Sequence, residues 1–150
     1  MAITVRAAVA DDAAILVSLV LHQFKRQESE SAAMLTLQDL LAYGFGERAR
    51  FRVLLAEDAG RAVGYALFYP SYDTEHADRG LYLQDLFVVP GSRARGIGRA
   101  LMAAVARACW NAHEGNHAAR AFYRRIGGCE ESVVTVSLQP DALRRLAAEA

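Results

Sequence analysis

Apolar and polar positions alternate from Ile3 to Arg6, and the carboxylates of Asp11 and Asp12 then precede AAILVSLVLHQF, which predicts a short strand followed by a helix. After the polar run KRQESES, Thr36 is placed to cap a second, short helix over LQDLLAYGF, weakened by Gly44 and Gly46. FRVLLAE and AVGYALFYPSY are β-rich runs on either side of Asp58-Ala59-Gly60, the pattern of a hairpin. LYLQDLFVV predicts a third strong strand, ending at Pro90. An Ala-rich helix is expected from about Gly98, a brief strand around Trp110 to His113, and a helix from Asn116 to Ile126. VVTVSL reads as the last strand, and PDALRRLAAEA as a C-terminal helix with proline near its first turn. The order predicts one α/β domain with a mixed sheet, spanning residues 1–150.

Composition narrows the function classes. With 150 residues and 53% hydrophobic content, one domain with a sizeable core is expected. Seventeen basic residues balance seventeen acidic ones, so no net field favours nucleic acid or an anionic membrane. The first residues lack the pattern of a signal peptide, and no run approaches the length of a membrane span, so a soluble cytoplasmic protein is expected. Cys109 and Cys129 have no metal-ligand spacing and read as packed free thiols.

HEGNH, from His113 to His117, fits the H-E-x-x-H pattern, in which two histidines one helical turn apart hold zinc. Gly115 and Asn116 weaken a helix interior, and Asn116 suits the position just before a helix starts. Neither His22 nor His76 is marked as a third ligand, so no metal site is expected.

The most informative segment is LQDLFVVPGSRARGIGRALMAAVA. A buried strand stops at proline, a loop rich in arginine and glycine follows, and a helix starts at once. The first N–H groups of a helix have no backbone partner and the helix dipole adds partial positive charge, so such a turn suits a phosphate. Arg93, Arg95 and Arg99 can add charge-assisted hydrogen bonds to a pyrophosphate. The G-K-[ST] ending of a Walker A loop is absent, and Gly91, Gly96 and Gly98 do not give G-x-G-x-x-G. On these residues alone, a plain strand-to-helix turn with solvated arginines remains an alternative.

R-x-x-G-x-G, from Arg93 to Gly98, resembles the acetyl-coenzyme A signature of the GNAT N-acetyltransferases. Asn116, Ala119, Phe122, Tyr123 and Gly127 resemble the same family's N-x-x-A-x-x-F-Y-x-x-x-G. LTLQDLLAYGFGE, the hairpin ending FYPSYD, and LYLQDLFV look most like its diamine (spermidine/spermine) group. The resemblance implies a mixed, mostly antiparallel central sheet flanked by helices, with HEGNH as the junction into the penultimate helix. It also implies acetyl-coenzyme A as cosubstrate and direct acetyl transfer to a primary amine of a small molecule: a polyamine, a diamine or a lysine-like amino acid. The loop of Arg93, Ala94, Arg95, Gly96, Ile97, Gly98, Arg99 and Ala100 would hold the pyrophosphate, with the amides of Arg95 to Ala100 as donors. The backbone of Leu86, Phe87, Val88 and Val89 would pair with the pantetheine arm, Asn116 would join the cofactor site, and Tyr123 would donate toward the departing thiolate.

Two departures accompany the resemblance. Where the diamine group carries a glutamate that takes the amine proton, this chain has Gln84. An amide cannot accept that proton, so the base is expected to be Asp85, Glu114 or a water chain. Only 17 residues, Arg99 to Gly115, separate the loop from Asn116, so the strand near Trp110 must be brief. Glu28, Glu30, Asp39 and Asp73 are candidates to line a site for a cationic amine, with ordinary solvated surface as their alternative. A homodimer is usual for the family. The competing class is a non-catalytic acyl-coenzyme A binding or sensing domain, suggested by Gln84 and the shortened segment.

Overall fold

Valine, leucine, tyrosine and phenylalanine recur at alternate positions in the middle of the chain, and each such run forms a strand. The computed structural model describes residues 3–26, 35–74, 77–105, 109–110, 117–130, 141 and 144–145. They belong to two units, Met1–His113 and Glu114–Ala150.

The first unit contains, in chain order, β1 (Ile3–Ala7), α1 (Ala13–Arg26), α2 (Leu37–Tyr43), β2 (Arg52–Asp58), β3 (Arg61–Asp73), β4 (Asp78–Val88), α3 (Ile97–Ala104) and β5 (Cys109–Trp110). The strands make one sheet in the order β1-β2-β3-β4-β5. The first four are antiparallel neighbours, and β5 runs parallel to β4. The sheet is therefore mixed and mostly antiparallel, as expected. Strands β3 and β4 are both longer than the apolar pattern predicted, because they continue as a paired arm to Asp73 and Asp78. The β2–β3 hairpin turns through Ala59 and Gly60, both at positive φ (51° and 76°), as a two-residue hairpin turn requires. Thr36 caps α2 as expected, its hydroxyl accepting from the Asp39 N–H at 3.1 Å. Strand β5 is only two residues long among the described residues, in line with the short segment before Asn116.

The sheet buries both faces. On one, Leu16, Leu19 and Val20 of α1 and Leu40 of α2 pack against Val53, Leu55, Tyr65, Leu67 and Phe87. On the other, Ile97 and Leu101 of α3, with Val105, pack against Ala56, Ala66, Phe68 and Leu83. Each fully buried aliphatic or aromatic side chain contributes about 1.5–3 kcal/mol by leaving water, so the two cores hold the sheet between its helices.

A bulge in β4 decides which side chains enter which core. Leu67 opposes Asp85, but the next residue of β3, Phe68, opposes Leu83, so Gln84 is the extra residue. Without it, Leu83, Asp85 and Phe87 would share one face. With it, Leu83 joins the α3 core, while Phe87 joins the α1/α2 core and Asp85 reaches α1.

In the second unit, α4 (His117–Arg125) ends in a glycine cap. Gly127 has φ 96°, its N–H donates to Arg124 O at 3.1 Å, and the Gly128 N–H donates to Tyr123 O at 2.9 Å. That pair of bonds is a Schellman motif, and it explains the terminal glycine of the F-Y-x-x-x-G pattern. Glu130 accepts from Arg120 at 3.0 Å and Arg124 at 2.9 Å, fastening the chain back onto the helix. Cys129, expected to be packed, is instead a free and exposed thiol just beyond this cap. The expected last strand, VVTVSL, lies outside the described residues, as does most of the expected C-terminal helix.

Candidate active site

Strand β4, the following loop and helix α3 carry most of the residues singled out above. Residues 90–92 form a single 3-10 turn after β4, and Gly96 then takes φ 80° as the N-cap of α3. Ala94 is also at positive φ, 59°. A Cβ added to Gly96 would meet no atom within 4 Å, so glycine is required here by the backbone dihedral and not by a crowded neighbour. Among the described residues, the side of Gly96 that a Cβ would occupy is open.

The helix start supplies fewer donors than the sequence suggested. Of the amides from Arg95 to Ala100, that of Ala100 is used inside the helix, donating to Gly96 O at 2.9 Å. The N–H groups of Ile97, Gly98 and Arg99, the first three positions of α3, have no acceptor within the helix. The arginines are also divided. Arg93 Nε donates to Val88 O at 2.9 Å, and its guanidinium lies 6.0 Å from the centre of the Phe87 ring. Arg95 pairs with Asp58 at 2.7 Å. Arg99 is exposed on the first turn of α3. Donors at a helix start, an open approach at Gly96 and nearby guanidinium groups together fit a phosphate-bearing cofactor.

Along β4, β5 pairs only with Tyr82 and Leu83 among the described residues. The stretch from Gln84 to Val88 therefore has β3 on one side and no described strand on the other. Gly64 of β3 lies so close to β4 that a Cβ there would come within 2.6 Å of Phe87 O. The backbones of β3 and β4 thus leave no room for a side chain at this position.

Gln84 and Asp85, adjacent in sequence, have different surroundings. Gln84 is exposed at the bulge. Asp85 is partly buried, and its Oδ1 accepts from Gln23 Nε2 of α1 at 3.0 Å. Gln23 Oε1 in turn accepts from the Tyr65 hydroxyl at 2.7 Å. Gln23 and Tyr65 are both buried, at 7% and 1% exposure, so each polar group depends on the other for its hydrogen bonds. Burial pushes the Asp85 carboxyl above its ordinary pKa, while the Gln23 donor pulls it back. Burial, with Asp85 adding to it, raises the Tyr65 hydroxyl, which stays protonated. Sequence reasoning did not single out Gln23 or Tyr65.

The Asp39 carboxylate closes the cap of α2, accepting from the Thr36 N–H at 3.0 Å and from its hydroxyl at 2.6 Å. That bonding lowers its pKa. Asp73 ends β3, and its side chain is outside the described residues, as are Glu28, Glu30, Glu114 and Asn116. Tyr123 belongs to α4 in the second unit, its ring 5.4 Å from that of Phe122. His117 opens α4, and the rest of HEGNH is outside the described residues. A cleft of about 390 Å³ lined by Ala7, Val53, Leu54, Phe68, Leu81 and Ala104, among others, includes no residue of the 84–100 segment.

A family model described as "Acetyltransferase (GNAT) domain" matches residues 49–127. A thialysine N-epsilon-acetyltransferase of Mus musculus is 38% identical over 80 residues, covering 48% of this chain and 46% of the mouse protein. The Bos taurus protein of that name is 30% identical over 112 residues, covering 69% of this chain and 65% of its own length. The chain thus spans between about half and two thirds of these relatives. A human spermidine/spermine N(1)-acetyltransferase-like protein is 31% identical over 105 residues, which are 65% of this chain and 15% of that protein. Among solved structures, an integron cassette protein from the mobile metagenome of V. cholerae superposes with a TM-score of 0.75 at 23% identity, covering 98% of each chain. An aminoglycoside acetyltransferase from an uncultured soil metagenomic sample gives a TM-score of 0.76 at 19% identity, over 91% of this chain and 95% of its own. At such identities the two structures speak for the fold.

Proposed function

The chain belongs to the GNAT acetyltransferase family, and on that premise we propose that it moves an acetyl group from acetyl-coenzyme A directly to a primary amine of a small molecule. The acceptor is an aliphatic amine, in a polyamine, a diamine or a lysine-like amino acid. The relatives named for thialysine and for spermidine/spermine support that choice. One observation carries the reading: a partly buried carboxylate, Asp85, sits on the strand that leads directly into the open helix start at Gly96.

Bound acetyl-coenzyme A would supply an activated acetyl thioester. The N–H groups of Ile97, Gly98 and Arg99, with the guanidinium of Arg99, bind the pyrophosphate, and Gly96 keeps the approach clear. Leu86 to Val88, which have no partner strand on one side among the described residues, would offer backbone groups to the pantetheine arm, although Arg93 already holds Val88 O, and the N–H and C=O of Val89 are bonded to Val63 and Ser92. Asp85 takes the proton of the incoming ammonium. That step matters because an alkyl amine with a pKa near 10.4 costs about 4.6 kcal/mol to neutralise at pH 7. A carboxyl raised by burial is a stronger base than an exposed one, which narrows the gap. Tyr123 serves as hydrogen-bond donor toward the thiolate, a role taken from the family's F-Y pattern. In this reading the chain forms a single functional domain, needs no metal, and acts as a homodimer in the cytoplasm.

Isothermal titration with acetyl-coenzyme A, followed by a thiol-release assay over spermidine, putrescine, lysine and thialysine, tests the proposal. Binding with turnover of at least one amine is expected. Binding without turnover of any amine would favour a non-catalytic acyl-coenzyme A sensing domain, a reading that the exposed amide of Gln84 keeps in view.

A further inference from the structure

We propose that Gln23, itself held by Tyr65, is a positioning residue that fixes Asp85 as the acceptor of the amine proton; this rests on the transferase reading above. The argument starts from the two ends of one amide. The Tyr65 hydroxyl donates to Gln23 Oε1 at 2.7 Å, and Nε2 of the same amide donates to Asp85 Oδ1 at 3.0 Å. If the amide were reversed, its oxygen would face Oδ1 and favour a protonated carboxyl. In the observed orientation the tyrosine occupies the oxygen and the amide N–H supports the ionised form of Asp85.

The same bond decides where the proton goes. A proton on Oδ1 would set two donors face to face, so the proton arrives at Oδ2. In that step an N–H bond of the ammonium breaks, an O–H bond forms at Oδ2, and the electron pair stays on nitrogen as the nucleophile. Charge and protons balance without a further reactant.

The arrangement is well anchored. Gln23 is buried in the α1 face, and Tyr65 is among the most deeply buried side chains of the chain. Residues 23, 65 and 85 lie on α1, β3 and β4, so the hydrogen bonds tie three elements at one point. Among the described residues, the His22 ring on α1 meets Phe87 of β4 edge-on at 5.7 Å, and Arg93 lies over the same phenylalanine. On β4 itself, Tyr82 stacks on Tyr69 with ring centres 5.0 Å apart.

The test follows the Asp85 carboxyl by NMR titration in the full chain without ligand, for the natural protein, Gln23→Leu, Tyr65→Phe and, as a control, His22→Gln. Removing the Gln23 donor should raise the Asp85 midpoint by about one pH unit or more, since a hydrogen bond to a charged group has that worth. Tyr65→Phe should raise it by less, and His22→Gln should leave it near its original value. With an accepted amine, the acidic limb of kcat/KM should move by the same amount in the same direction, while acetyl-coenzyme A affinity stays constant. A folded Gln23→Leu variant with an unmoved midpoint would overturn the positioning role. A moved midpoint with an unmoved limb would overturn Asp85 as acceptor. A natural protein that turns over no amine refutes the transferase reading, and the catalytic part of this inference with it; the titration alone still decides whether Gln23 controls the carboxyl.

Discussion

Arg95 Nη1 lies 2.7 Å from Asp58 Oδ2, so the loop before α3 is tied to the β2–β3 hairpin. The other oxygen, Asp58 Oδ1, is buried with no hydrogen-bond partner. Arg95 therefore satisfies a carboxylate that is already short of donors, and its guanidinium is engaged before any ligand arrives. Arg95→Ala should cost about 1–3 kcal/mol in urea unfolding, because Asp58 loses its remaining donor. The double variant with Asp58→Ala should cost less than the sum of the single ones. Additive losses would mean that the pair is a surface contact of little consequence.

The open space at Gly96 yields a sharper substitution than a bulky residue does. A β-branched side chain at φ 80° would disturb the backbone itself, so a binding loss could not be told from misfolding. Gly96→Ala adds one methyl group, at a cost of about 1–2 kcal/mol in the left-handed region. Acetyl-coenzyme A affinity should drop at least tenfold, with a cooperative unfolding transition retained. Equal affinity in that variant would remove the loop from the cofactor site.

Much of this segment was legible in the sequence because its determinants are local. Pro90, Gly96 and the apolar strand before them predict a strand, a turn and a helix within a dozen residues, and Thr36 announces its own cap. Thr36 and Asp39 are spaced as a capping box with aspartate in place of the usual glutamate, so the cap of α2 was also there to be read before Asp39 was counted as a substrate acid. What could not be read is the contact between Gln23 and Asp85, 62 residues apart. It depends on the register of β3 against β4, and the bulge at Gln84 shifts that register by one residue. An alternating pattern carries no mark of such an insertion, so the face on which Asp85 lies could not be read.

Tyr123→Phe keeps the ring that meets Phe122 and removes only the hydroxyl. If that hydroxyl donates to the developing thiolate, kcat should fall about 10- to 1000-fold. Affinity for acetyl-coenzyme A, measured by titration, should stay near its original value. An unchanged kcat would reduce Tyr123 to packing on α4.

Acid stability should carry opposite signatures from two aspartates. The Arg6 guanidinium, at 2.7 Å, holds Asp12 down to a pKa of about 2 from an ordinary 3.8. Between those values the unfolded chain binds more protons than the folded one, so this pair's contribution is complete above pH 3.8 and fades as pH falls through about 2. Asp85 is raised, so the folded protein holds the extra proton, and its contribution falls as pH rises from 3.8 through the raised value. Urea midpoints measured from pH 2 to 7 should show Asp12→Asn flattening the first slope and Asp85→Asn the second. A profile that neither variant alters would contradict both assignments.

The final prediction separates Gln84 from its neighbour. With Asp85 as the proton acceptor, Asp85→Asn should lower the rate near pH 7 by about 100- to 10,000-fold, the usual worth of a general base. The remaining activity should climb with pH, since each unit below the amine pKa removes about tenfold of the neutral nucleophile. Gln84→Glu is nearly isosteric and exposed at the bulge, so folding should be unaffected. It adds a carboxylate next to one that already accepts the proton, and the rate should change by no more than a few-fold. A tenfold or greater gain at pH 7 with a flattened pH profile would show instead that the natural chain lacks an effective base, and that the exposed side of β4 is where the amine enters. Comparing the two variants on one amine, over pH 6 to 10, distinguishes these outcomes, because only a working acceptor at Asp85 predicts a large loss in one and near silence in the other.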